Sequence, residues 1–177
     1  PATNDRAASA VPGRNEWAAS AIYPVSPLDE AAVEALRRLC AGKLVVVIGR
    51  AGSGRSTLAS KLAGPTGRCA ASQDVVLRLI KDVRGGSDVG AGNGLRDAQP
   101  LVMDEVGWLA GRPRTLAAVR ELLAARRAAE HVSILVQGRR DGSLAEVLQG
   151  LPAPVVVEVV EPSRAEKVAW VLETALH

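Results

Sequence analysis

The stretch that most limits what this chain can fold into is residues 43–64, KLVVVIGRAGSGRSTLASKLAG. Lys43 leads five consecutive apolar residues, Leu44 to Ile48, three of them valine. A run this short and this rich in β-branched side chains predicts a strand buried on both faces. The loop Gly49-Arg50-Ala51-Gly52-Ser53-Gly54 follows. Arg55-Ser56-Thr57 then opens an apolar-periodic segment (Leu58, Leu62) that Gly64-Pro65 ends. Strand, glycine loop and helix in that order are the context a phosphate-binding loop requires. Successive backbone N–H groups converge on a polyphosphate only where φ is positive and no Cβ intrudes, and glycine supplies both. The helix start adds its unpaired amides and the positive end of its dipole.

The segment fits G-x-x-x-x-G-K-[ST], the Walker A pattern, at every position but one. Arg55 stands where lysine normally reaches the β- and γ-phosphates. The charge is kept, but on a planar fork instead of a compact ammonium. Binding of ATP or ADP is therefore expected to survive, and hydrolysis to suffer. The candidate nucleotide contacts are Gly49, Gly52, Ser53, Gly54, Arg55, Ser56 and Thr57, with the Ser56 hydroxyl expected on Mg²⁺. The plain alternative is a glycine-rich turn that binds nothing.

The second landmark is Pro100-Leu101-Val102-Met103-Asp104-Glu105, a short apolar strand ending in an acidic pair. Asp104 is expected to hold the Mg²⁺ shell, and Glu105 to orient or deprotonate an attacking water. Alone, such a pair can equally be a solvated strand end. Its place about fifty residues beyond a phosphate loop gives it weight. A further buried strand, Val132 to Val136, is closed by Gln137, a candidate to reach a γ-phosphate or the lytic water; Arg139 and Arg140 follow it.

Helices are expected between these strands. One starts at Ser26-Pro27, with Val33, Leu36, Leu39 and Cys40 on one face, and Gly42 stops it. A weak strand near Arg68 to Ala71 precedes a helix capped by Ser72, with Val76, Leu79, Ile80 and Val83 on one face. Residues 85–99 contain five glycines and read as a flexible loop. Thr115 is expected to cap a helix running to Glu130 that buries Leu116, Val119, Leu122 and Leu123. Arg120, Arg126 and Arg127 are placed mostly on its solvated side, and Trp108 is expected to pack. Leu144 to Leu148 makes a short helix, Pro154 to Val160 a last strand, and Ser163 caps a final helix with Val168, Val171 and Leu172 in its apolar stripe. Residues 1–25 read as a flexible leader or linker, with Trp17 and Ile22-Tyr23 as points where it could dock on the domain formed by residues 26–177.

With 177 residues the chain suits one domain with a real core. Its 22 basic and 19 acidic residues, net +3, are too balanced to mark a nucleic-acid protein by charge alone. No Phe, one Tyr and three Trp leave the core to aliphatic packing and argue against single-strand binding by base stacking. Cys40 and Cys69 are expected as buried free thiols in a reducing compartment, with no zinc spacing. No apolar run has the length of a membrane span, and the N-terminal stretch lacks a signal-peptide core, so a soluble cytoplasmic protein is expected.

In this order the elements resemble the AAA+ family, specifically the ATPase core of DnaA-type replication initiators and their shorter homologue Hda. GRAGSGRSTL looks like the family's Walker A, SQDVVLRLIKDV like the helix after its second strand, and PLVMDEVGWL like Walker B. ILVQGR is similar to the strand that ends in the sensor 1 residue, which places Gln137 in that role, and VVVEVVEPSRAEKVAWVLETAL to the fifth strand and closing helix. The resemblance implies a three-layer α/β/α P-loop NTPase sandwich around a five-stranded parallel sheet. The sequence stops at His177, so the helical lid is expected to be absent.

Two departures bear on activity. Gly138 stands where the family carries an Asp before the arginine, and no arginine lies between Leu144 and Val155, where the arginine finger normally falls. An active homo-oligomer is therefore not expected. The resemblance implies an ATP/ADP- and Mg²⁺-binding regulatory module with weak or no hydrolysis, a protein partner or further domains, no membrane, and DNA contact only as an unsupported option. A scaffold that binds no nucleotide is the alternative, and a small-molecule P-loop kinase the third choice.

Overall fold

The computed structural model describes residues 22–84 and 93–175. The expectations placed on Trp17, on residues 85–92 and on the Val83 side chain fall outside the described residues. The centre of the molecule is the predicted strand, β2 (Leu44–Ile48), with all five side chains buried. Around it lie β1 (Ile22–Val25), β3 (Arg68–Ala71), β4 (Leu101–Asp104), β5 (Ser133–Gln137) and β6 (Val155–Val159). The strands run in the order β1-β6-β2-β5-β4-β3, and every pairing is parallel.

The sheet has six strands where five were expected. Ile22 to Val25 pair in register with Val156 to Val159, so the end of the stretch expected as leader forms an edge strand. An edge position tolerates Pro24, whose missing N–H need not serve a ladder, and Val25 alone of the four is buried.

Both faces are covered. Val45 and Val47 point to α1 (Glu30–Leu39) and α2 (Arg55–Ala63), burying Val33, Leu36, Leu58 and Leu62. Leu44, Val46 and Ile48 point the other way. There α3 (Ser72–Arg84), the short α4 (Asn93–Arg96), α5 (Pro113–Ala128) and α6 (Gly142–Leu148) supply Val75, Val76, Leu95, Leu116, Val119, Leu144 and Val147. This is the expected three-layer α/β/α sandwich, built from aliphatic side chains.

Several local expectations are corrected. Helix α1 is capped by Asp29, whose carboxylate accepts the Ala32 N–H at 2.9 Å, while Ser26 Oγ accepts from Leu28 in the turn before it. Helix α5 starts at Pro113, a residue pre-set for the first helical position, and not at Thr115. In α3 the buried pair is Val75 and Val76, and Ile80 is 40 % exposed. The glycine-rich stretch carries the helical turn α4 at its end. Cys40 is buried, which pushes its thiol up to about 11, but Cys69 is exposed.

Arg126 is fully buried instead of solvated. Its guanidinium donates to the carbonyls of Leu95, Arg96 and Val132, and its Nε to Ser133 Oγ at 2.9 Å. It ties α4 and the approach to β5 onto α5, and burial lowers its pKa to about 10. On α7 (Arg164–Ala175), the Ser163 hydroxyl and Glu166 form a reciprocal capping box, but Val168, Val171 and Leu172 are exposed.

Candidate functional site

In open parallel sheets, ligands collect beyond the carboxyl ends of the strands where the strand order reverses. Here that point lies between β2, whose chain leaves to α2 on one face, and β5, whose chain leaves to α6 on the other. The glycine loop sits at this crevice. Gly52 and Gly54 have φ of +78° and +94°, left-handed backbone that other residues rarely adopt. A Cβ on Gly54 would also come within 2.9 Å of Pro27, which packs the segment after β1 against the loop. Gly49 does not need a positive φ. A Cβ there would meet Ser53 Oγ at 2.7 Å and Val159 Cβ at 3.1 Å, so its demand is for space.

Ser53 is buried, and its hydroxyl has no hydrogen-bond partner among the described residues. An orphaned buried hydroxyl costs free energy unless something pairs with it, and an anion seated in the loop would do so. Arg55, Ser56 and Thr57 form the first turn of α2. The residues present fit a nucleoside polyphosphate.

The other half of the site is built by hydrogen bonds. Ser56 Oγ donates to Asp104 Oδ2 at 2.8 Å, joining positions 48 residues apart. The other Asp104 oxygen accepts the Glu105 N–H at 2.8 Å, and the Asp104 carbonyl accepts from Ser72 Oγ at 2.7 Å. Two hard oxygen donors side by side, with a phosphate to complete the shell, are what Mg²⁺ takes in such sites. Ser56, Asp104 and Glu105 border one cleft of about 280 Å³, which Cys69 also lines. Among the described residues no group of three or more His, Cys, Asp or Glu gathers as a metal cage, so a cation here would depend on the ligand's own oxygens.

Glu105 is exposed with φ +55° and ψ +45°, unusual for a residue with a Cβ. The turn after it, Val106–Leu109, is held by Gln137, whose Oε1 accepts the Gly107 N–H at 2.9 Å. A Cβ on Gly107 would lie 2.4 Å from the Gln137 amide nitrogen, so a side chain there would have to displace that amide. Gln137 Nε2 in turn donates to Ser143 Oγ at 3.4 Å, and that hydroxyl donates to Asp141, the cap of α6. Gln137 stands at the end of β5 as expected, but its amide clasps the acidic turn.

On the other side of the loop, Gly49, Arg50 and Ser53 face Gly138, Arg139, Arg140 and Glu158 across a cleft of about 480 Å³. Trp108 packs against the core, with the Arg112 guanidinium 4.1 Å from its ring centre.

Ser72 and Gly107 were not singled out by their chemistry in the sequence, and Gly138 was noted only as a departure from the family pattern. Ser72 reads as a helix start, and nothing in its neighbours predicts a bond to the Asp104 carbonyl.

At the level of sequence, no protein-family model and no curated protein matches the chain. Solved structures do. AMPPCP-bound DnaA from Aquifex aeolicus superposes with a TM-score of 0.62 at 19% identity, over 81% of this chain and 50% of that one. Domain III of the Thermotoga maritima replication initiation protein DnaA gives 0.61 at 15% identity, over 82% and 68%. The DnaC helicase loader gives 0.55 at 17% identity, over 71% and 81%. The chain therefore shares the fold of these DnaA and DnaC structures. The chain spans about half the length of the first initiator structures it matches. No helix among the described residues is long and apolar enough to cross a membrane.

Proposed function

We propose that this chain binds ATP or ADP with Mg²⁺ in the Gly49–Thr57 loop and uses the bound state to govern contact with a protein partner or a neighbouring domain. The observation that carries the reading is the 2.8 Å bond between Ser56 Oγ and Asp104 Oδ2 at the foot of the loop. It sets side by side the two oxygen donors that the motif reading assigns to Mg²⁺. The buried, partnerless Ser53 hydroxyl supports the same reading. The structural likeness to AMPPCP-bound DnaA, a nucleotide complex, points the same way.

In this reading the loop amides and Arg55 bind the phosphates, and Ser56 and Asp104 hold Mg²⁺, which neutralises phosphate charge. Glu105 is the candidate to orient or deprotonate water. Turnover is expected to be slow or absent. Arg55 replaces the lysine, Gln137 is engaged by Gly107 and Ser143, and no arginine lies between Leu144 and Val155. The regulatory role rests on that handicap.

The test is a titration of fluorescent ATP and ADP, with and without Mg²⁺, into the full chain and its Arg55→Ala and Asp104→Ala variants. Saturable binding is expected, weakened in Arg55→Ala and indifferent to Mg²⁺ in Asp104→Ala. Absence of binding at millimolar nucleotide would leave a scaffold domain instead.

A further inference from the structure

Gly138 presents a glycine that its backbone does not require. Its φ lies outside the left-handed region, so any L-residue could adopt its conformation. What crowds a side chain there is one neighbour. A Cβ at position 138 would lie 3.0 Å from Arg55 Nη1 and 3.9 Å from Arg55 Cζ, with no other atom within 4 Å among the described residues beyond its two chain neighbours. At its other end the same arginine passes Gly49, where a Cβ would meet Arg55 Cγ at 3.1 Å. The Arg55 side chain thus lies along a floor made by two glycines, from the end of β2 to the residue after β5.

We propose that Gly138 is a positioning residue for Arg55: the empty space above it seats the guanidinium across the mouth of the phosphate loop, and so lets an arginine serve where the motif expects lysine. The inference rests on the nucleotide reading above and deepens it. The steric argument is specific to arginine. A guanidinium carries two nitrogens beyond Cζ, and one of them, Nη1, makes the 3.0 Å approach. A lysine ends near where Cζ lies, a position that clears the same Cβ by 3.9 Å. The group that would be displaced is the free end of a flexible side chain. A methyl at 138 is therefore expected to turn the guanidinium aside and leave the fold intact.

This predicts non-additivity between the two positions. Four proteins, namely the wild-type chain, Gly138→Ala, Arg55→Lys and the double variant, would be titrated with fluorescent ATP and Mg²⁺, and melted without nucleotide. Gly138→Ala should melt close to wild type yet bind about tenfold more weakly, the scale of a misplaced charged hydrogen bond. In the Arg55→Lys background the same alanine should change affinity by less than about twofold. An equal loss in both backgrounds, or no loss with Arg55, would overturn the proposal while leaving nucleotide binding established. A wild-type chain that fails to bind would overturn the nucleotide reading, and this inference with it.

Discussion

The two halves of the site flanking Ser56 are made in different ways. Between the ends of β4 and β5, the groups are joined by hydrogen bonds: Ser56 to Asp104, Ser72 to the Asp104 carbonyl, Gln137 to Gly107 and Ser143. On the side of β5 and β6, the geometry is set by what is missing. Gly49 leaves room for Ser53 and Val159, and Gly138 leaves room for the Arg55 guanidinium. The first half is specified by side chains that are present, so a substitution there removes a partner. The second is specified by volume, so a substitution adds an obstacle. Changes in the two halves should therefore differ in kind as well as in size.

The largest effect is expected from filling the volume-built half. Gly49→Val places carbon 2.7 Å from the buried Ser53 Oγ and 3.1 Å from Val159 Cβ, both in packed surroundings. A loss of about 2–3 kcal/mol of stability is expected from overpacking, together with loss of nucleotide binding. Thermal unfolding and titration would check it; a stable variant that still binds would show that the loop is less tightly packed than its contacts imply.

In the bonded half, Asp104→Asn keeps the shape and removes the charge. Binding in Mg²⁺ should weaken about tenfold and become insensitive to chelation, with the melting temperature little changed. Retained Mg²⁺ dependence would place the cation elsewhere.

Further along the same bonded network, Asp141 caps α6 by accepting the N–H groups of Ser143 and Leu144 at 3.1 and 3.2 Å. The Ser143 hydroxyl bond, followed by these backbone bonds, holds its carboxyl below the usual range. A depressed folded-state pKa means that the stabilisation is complete at neutral pH. It starts to fall as the pH drops through the ordinary carboxylate value and is gone below the folded-state value. Asp141→Ala should cost about 1 kcal/mol at neutral pH and less in acid. A pH series of melting curves reads both.

The smallest effect, with opposite signs in two assays, is expected at Ser53. Removing a buried hydroxyl that has no partner should raise the stability of the nucleotide-free chain by a few tenths of a kcal/mol. If an anion normally pairs with it, Ser53→Ala should also weaken nucleotide binding. A variant that is less stable without nucleotide would mean that the hydroxyl is satisfied.

The same contrast explains what could be read from the sequence. The layers and the parallel sheet were implied by the resemblance, while the buried face of α5 follows from apolar periodicity, which aliphatic residues report directly; Leu116, Val119, Leu122 and Leu123 are all buried. The bonded half was legible in part, because Ser56, Asp104 and Glu105 are residue types with known chemistry at a known spacing. The sixth strand was not, because Ile22–Val25 holds a proline and has only one buried side chain. Arg126 was misplaced because charge normally signals solvent. Its burial is justified only by four acceptors that the fold brings from α4 and the start of β5. The role of Gly138 was invisible for a simpler reason: a sequence names the residue that is small, and only the structure names the neighbour that needs the space.

The central claim is that the loop binds nucleotide with Arg55 in the lysine slot. Its most direct test is thermal unfolding of the full chain in Mg²⁺ with and without 1 mM ATP. A ligand at about one hundred times its Kd stabilises the folded state by about 2.7 kcal/mol. For a domain of this size that is a rise of about 5 °C or more. The account predicts such a rise with ATP, a smaller one in Arg55→Ala, and none in Gly49→Val. An unchanged melting temperature in the wild-type chain, at this concentration and at ten times it, would contradict it.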